Sequence, residues 1–113
     1  MEVQREIVLP TTREDAWEAL TEPGRLEQWF ATEVELDLRE GGAAVFRWGD
    51  GDSRHGEVVT VEDEERLVLR FDDGVVDLRL ADDADGTRVL VRETSPGWST
   101  ALELSALALC AAA

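Results

Sequence analysis

The sequence predicts an α+β domain in which an antiparallel seven-strand sheet curls around a long C-terminal helix. Three observations carry this. Apolar residues alternate with polar ones at a period of two through most of the 113 residues, and Gly/Asp clusters break the alternation into short runs. The period lengthens to three and four only after residue 10 and again near residue 95. A chain of this length suffices for one domain with a real core, and no linker, repeat or low-complexity tract divides it before a short Ala tail.

Val3 to Leu9 alternates Val3, Arg5, Ile7 and Leu9 against their neighbours, the pattern of a first strand that Pro10 ends. Thr11-Thr12-Arg13-Glu14 fits a capping box with Thr11 as cap, and Ala16, Trp17 and Leu20 follow at helical spacing. Pro23 suits the first turn of a second short helix, where Leu26 meets Trp29 and Phe30. From Val34 the period is two. Val34, Leu36 and Leu38 share a face, Gly41-Gly42 turns the chain into Ala44-Phe46-Trp48, and Asp50-Gly51-Asp52 is a hairpin signal. His55-Glu57-Val59-Val61, Leu67-Leu69-Phe71, Val76-Leu78-Leu80 and Val89-Val91-Glu93 then read as the inward faces of four further strands. Ser95 suits a cap and Pro96 the first position of a helix running to Cys110, along which Trp98, Ala101, Leu102, Ser105, Ala106 and Leu109 recur. An antiparallel sheet with one apolar face needs a cover, and this helix supplies it. Trp17, Leu20, Trp29, Leu102 and Ala106 are expected in the core.

Composition narrows the function. The formal charge is −15, with 26 acidic residues against 11 arginines and no lysine. Such a surface repels phosphate backbones and anionic lipid, which argues against nucleic-acid and membrane partners. Asn and Tyr are also absent and Ile7 is the sole isoleucine, a pattern that fits GC-rich coding, with high-salt adaptation as the rival explanation. No run of ~18 apolar residues spans a membrane. The N-terminus lacks the layout of a signal peptide, so a cytoplasmic location is expected. Cys110 stands alone, and no Cys/His cluster suggests a metal or other cofactor.

The candidate site residues follow from the faces. Trp29, Phe30, Phe46, Trp48, Phe71 and Trp98 all point inward on this reading, as a plain aromatic core or as the walls of a ligand pocket. His55 and Glu57 lie one pleat apart, which brings a base and a carboxylate to a cavity mouth unless His55 is simply solvated. Glu93 on the last strand and Arg5 on the first suit an ion pair at the sheet edge. The opposite face gathers Arg47, Arg70, Arg79 and Arg92 among Val45, Val58, Val68, Val75 and Leu90. That mixture suits a homodimer or protein-partner surface, or arginine stems covering aliphatic residues on a wet face.

Trp17-Glu18-Ala19-Leu20-Thr21-Glu22-Pro23 with Leu26 and Trp29-Phe30, then Asp37-Leu38-Arg39-Glu40-Gly41-Gly42 leading to Phe46-Arg47-Trp48, resemble the opening motifs of the activator of heat shock protein 90 ATPase homologues. Gly56-Glu57-Val58, Arg66-Leu67-Val68, Gly86-Thr87-Arg88-Val89 and Gly97-Trp98 continue in that family's order, from about Ile7 to Leu109. The family belongs to the START-like, or SRPBCC, superfamily. The resemblance implies a helix-grip fold with a cavity between sheet and C-terminal helix. Relatives hold lipids, polyketides and other apolar ligands there, a few are cyclases or hydratases, and the eukaryotic namesakes stimulate a chaperone's ATPase. The link from Glu93 to Trp98 is shorter than usual in the family, which favours a modest pocket near the low end of ~300–1,000 Å³. The expected function is therefore non-catalytic binding of a small apolar or amphipathic ligand. Trp29, Phe46, Trp48, Phe71 and Trp98 would line the pocket, with His55, Glu57 or Glu93 at the rim. A protein-interaction module is the alternative, and a small cyclase- or hydratase-type enzyme the third reading.

Overall fold

The computed structural model describes residues 2–94, 97–98 and 100–102. The chain runs β1 (Val3–Leu9), α1 (Arg13–Thr21), α2 (Pro23–Trp29), β2 (Glu33–Leu36), β3 (Ala43–Arg47), β4 (Ser53–Glu62), β5 (Arg66–Phe71), β6 (Gly74–Asp83) and β7 (Gly86–Glu93). Every strand pair is antiparallel, and the sheet order is β1-β7-β6-β5-β4-β3-β2. Six strands form an uninterrupted meander, and β1 closes on β7 because α1 and α2 carry the chain from one sheet edge to the other.

The helix start differs from expectation by one residue. Thr12, in an extended conformation, is the cap of α1, and its hydroxyl accepts from the Asp15 N–H at 3.2 Å. The Thr11 hydroxyl instead donates to the Asp15 carboxylate at 2.9 Å. In α2, Pro23 occupies the first turn as expected, and Leu26 is fully buried. β2 stops at Leu36, two residues early. The chain then folds through a tight turn in which Gly42 N–H donates to the Arg39 carbonyl, leaving Leu38 exposed. A Cβ on Gly42 would lie 2.1 Å from the Asp37 carbonyl oxygen, so this turn excludes side chains at that position.

One face of the sheet is packed throughout. Ile7, Leu9, Val34, Ala44, Phe46, Val58, Leu67, Leu69, Phe71, Val76, Leu78, Leu80, Val89 and Val91 share a single core with Ala16, Trp17, Leu20 and Leu26 of the helices. Trp17, Leu20 and Leu102 are buried as expected, while Trp29 is half-buried. After β7 the chain turns through Gly97 (φ +101°), and Trp98 with residues 100–102 is helical. The rest of the expected helix, with Ser95, Pro96, Ser105, Ala106, Leu109 and Cys110, lies outside the described residues. No helix of the described residues is long and apolar enough to cross a membrane.

Candidate binding site

Three parts of the chain deliver aromatic rings to one end of the inner face. β3 presents Phe46 and, just beyond its end, Trp48; β5 ends on Phe71; α2 ends on Trp29 and Phe30. Trp98 enters from the turn after β7 and lies at the centre. It stacks on Phe30 with ring centroids 4.0 Å apart and 24° between planes, and stands edge-on to Phe46 at 5.2 Å and 89°. Phe30 meets both Phe46 and Trp48 edge-on at 5.4 Å, and Phe46 meets Phe71 at 5.8 Å. These are the favoured offset and edge-to-face arrangements of aromatic quadrupoles. Phe46 and Trp98 are fully buried, and Trp29, Phe30 and Trp48 are half-buried.

The indole nitrogens separate the tryptophans. Trp29 Nε1 donates to the Ala19 carbonyl at 2.9 Å, and Trp48 Nε1 to the Phe30 carbonyl at 2.7 Å. Trp98, only 1% exposed, buries its Nε1 with no acceptor among the described residues. A buried donor left unsatisfied costs on the order of 1–3 kcal/mol.

Glu93 is equally unusual, a carboxylate on the apolar face and 4% exposed. Its Oε2 accepts from the Trp98 backbone N–H at 3.0 Å, tying the end of β7 to the start of the following helix. Arg5 lies on the adjoining strand. Val3 is opposite Glu93 and Arg5 opposite Val91, so the two charged residues share a face one diagonal step apart.

His55 and Glu57 are not on the inner face, contrary to expectation. Val45 pairs with His55 and Ala43 with Glu57, while Phe46 pairs with Arg54 and Ala44 with Gly56. Arg54, Gly56 and Val58 therefore point inward. The cause is a bulge between Val58 and Thr60, which adds a residue to β4. Counting back by twos from the inward Val61 across that bulge reverses every assignment before it. His55 is exposed, and Glu57 forms an ion pair with Arg70 on the outer face. His55 still borders an open cleft of about 240 Å³ where the start of β4 parts from the β5–β6 turn, together with Arg54, Phe71 and Asp73.

Arg54 is the site residue that sequence reasoning missed. Its guanidinium lies over the Trp48 ring, 5.4 Å from the centroid, and pairs with Asp73 at 3.8 Å. That contact sets it beside the aromatic cluster, at the edge of the open cleft. At Gly56 the Phe71 ring packs directly on the strand, since a Cβ there would lie 2.6 Å from that ring.

On the outer face each predicted arginine has a carboxylate. Arg47 reaches Glu35 at 2.9 Å, Arg79 reaches Asp77 at 3.5 Å and Arg92 reaches Glu2 at 3.3 Å, in addition to the Arg70–Glu57 pair. Val58 belongs to the core instead of this face. Among the described residues, no three His, Cys, Asp or Glu side chains gather as metal ligands.

Comparison with known proteins agrees with this architecture. Residues 10–108 match the family model described as "Activator of Hsp90 ATPase homolog 1-like protein". The Aha1 dimer from Colwellia psychrerythraea, solved in solution, is similar in fold at 15% identity and a TM-score of 0.83, covering 97% of this chain and 96% of that one. The AHSA1-like protein from Aeromonas hydrophila is similar at 24% identity and a TM-score of 0.77, with 94% and 88% covered. DynU16, from the dynemicin biosynthetic locus, is 29% identical with a TM-score of 0.75; the match covers 96% of this chain but 43% of DynU16. No curated protein matches the sequence.

Proposed function

This chain belongs to the Activator of Hsp90 ATPase homolog 1-like family, and from that premise we propose that it is a non-catalytic binding domain for a small apolar or amphipathic molecule. The ligand is taken on the inner face, beside Trp29, Phe46, Trp48, Phe71 and Trp98, with Glu93 and Arg54 as the nearby charged groups. The observation that carries this reading is the Trp98 indole N–H, buried among aromatic rings without an acceptor among the described residues. A ligand with an apolar body and one acceptor atom matches that lining and relieves the orphaned donor.

Phe46 and Trp98 form the deepest part of this lining. The half-buried Trp29, Phe30 and Trp48 form its accessible side, close to the Arg54–Asp73 pair. Arg54, Asp73 and Glu93 are each engaged with protein groups, which suits orienting a ligand better than transferring protons to one.

Titrating purified protein with a library of small apolar molecules tests this. A binder is expected to raise the melting temperature by mass action and quench Trp fluorescence, and Trp98→Phe to weaken those ligands that carry an acceptor. If no compound shifts the melting temperature, the reading fails. A protein-interaction module then takes its place, a reading favoured by the relative that was solved as a dimer. Sedimentation analysis would show that self-association directly, and charge reversal at Arg47 or Arg70 would place it on or off the outer face.

A further inference from the structure

The centre of the outer sheet face contains an arrangement that neither packing nor the inner-face site accounts for. Arg66 on β5 and Arg79 on β6 stand directly opposite each other in the register. Like charges in that relation destabilise a sheet. A single carboxylate serves both: Asp77 receives two hydrogen bonds from Arg66, at 3.0 and 3.2 Å, and lies 3.5 Å from an Arg79 nitrogen. Arg92 of β7 is the cross-strand neighbour of Asp77 and brings a third guanidinium, paired at its tip with Glu2. Its Nε is buried with no acceptor among the described residues. These groups surround a shallow depression of about 310 Å³ whose apolar lining is Val68 and Val75. Val68 is buried although it faces outward, while Val75 is exposed, so the valine floor keeps apolar surface for a ligand to cover.

We infer that this depression is a binding site for a small molecule carrying one carboxylate and a short apolar chain. The charge selects the ligand. Within the lining three arginines face Glu2 and Asp77, and Glu62 stands opposite Arg66 from outside it, so the depression offers guanidinium donors without a large positive field, which in a chain of net charge −15 suits a monoanion better than a polyanionic partner. The planar guanidinium forks of Arg79 and Arg92 match a carboxylate's two oxygens, and the incoming charge relieves the opposition of Arg66 and Arg79. The chain of the ligand lies over Val68 and Val75. The site is on the opposite face from the aromatic cluster and does not depend on the function proposed above.

Titration of the intact ¹⁵N-labelled protein with sodium octanoate tests it, with 1-octanol and octylammonium as controls at matched ionic strength. Octanoate alone is expected to shift the Val68, Val75 and Asp77 amide signals saturably. Arg79→Gln and Arg66→Gln are expected to weaken that response by roughly tenfold each, the scale of one charge-assisted hydrogen bond. Arg79 is exposed, so its variant keeps the comparison valid even if Arg66→Gln loses its folded spectrum. Absence of shifts at these amides, equal shifts with octanol, or an undiminished response in Arg79→Gln overturns the proposal. The Trp98 indole N–H signal reports the inner face in the same spectra, so failure at one site is distinguishable from failure at the other.

Discussion

Trp98 holds the inner face together through its ring, while its indole N–H opposes that gain. Truncation to Ala removes a fully buried ring touching Phe30, Phe46 and Phe71, and is expected to cost about 3–5 kcal/mol in urea denaturation. Trp98→Phe is expected to cost far less, because the orphaned donor leaves together with the lost volume. A Phe variant as unstable as the Ala variant would show that the donor carries no penalty. Asp15 illustrates the opposite case, a polar group fully met. The hydrogen bond from Arg25, with help from the Thr11 hydroxyl, holds its carboxyl below the usual carboxylate range against the opposing effect of burial. A group whose folded pKa is depressed stabilises the fold above its unfolded value of about 4, and that contribution fades as pH falls toward the lowered folded value. Asp15→Asn is therefore expected to lower stability at pH 7 and to flatten its decline below pH ~4, as read by urea melts across pH. An unchanged acid limb would remove Asp15 from the account.

At the scale of elements, β4 decides which residues reach the site. Its inner face at Gly56 is where the Phe71 ring lies, and Gly56→Ala places a Cβ 2.6 Å from that ring and 2.2 Å from the Arg70 carbonyl oxygen. The strand must shift, at a cost of about 1–3 kcal/mol, as for other overpacked cores. A variant with unchanged melting behaviour would mean that β4 and β5 are looser here than drawn. The same strand marks the limit of what the sequence revealed. Seven strands, two short helices and their order were legible because period-two runs and Gly/Asp turns repeat cleanly. The phase of β4 was not, since one bulge between Val58 and Thr60 reverses the faces before it, and sequence periodicity does not show a bulge. That reversal sent His55 and Glu57 outward and hid Arg54, whose place opposite Phe46 emerges only by counting the hairpin outward from Asp50. The cap of α1 was ambiguous for a different reason: Thr11 and Thr12 each have an acidic residue three positions on, and backbone conformation alone chooses Thr12. The aromatic cluster was legible as inward-facing. Ring-to-ring closure and the unmet Trp98 donor depend on three-dimensional contacts that no spacing records.

For the whole molecule, the question is whether charge holds the fold or strains it. Arg47, Arg66, Arg70, Arg79, Arg88 and Arg92, six of the eleven arginines, alternate with buried positions on one sheet face, each near a carboxylate. Exposed pairs of this kind contribute only about 0–1 kcal/mol each, and most sit at 2.7–3.5 Å, far inside the screening length. The opposing term is the repulsion of a −15 charge spread over the rest of the surface. Some of those carboxylates are chain neighbours, as in Asp63-Glu64-Glu65, but across a molecule of 36 × 27 × 26 Å the summed repulsion is mostly long-range against the ~10 Å Debye length at 0.1 M salt, so salt weakens it before the close pairs. Melting temperature is therefore expected to rise between 20 mM and 500 mM sodium chloride, on the order of several degrees for a domain this size if screening returns ~1 kcal/mol. Scanning calorimetry across that range decides the sign. A melting temperature that falls with salt would mean that the ladder of arginine pairs outweighs the global repulsion. The outer face would then be a structural girdle, and variants that break its pairs would lose stability in proportion to the number of pairs removed.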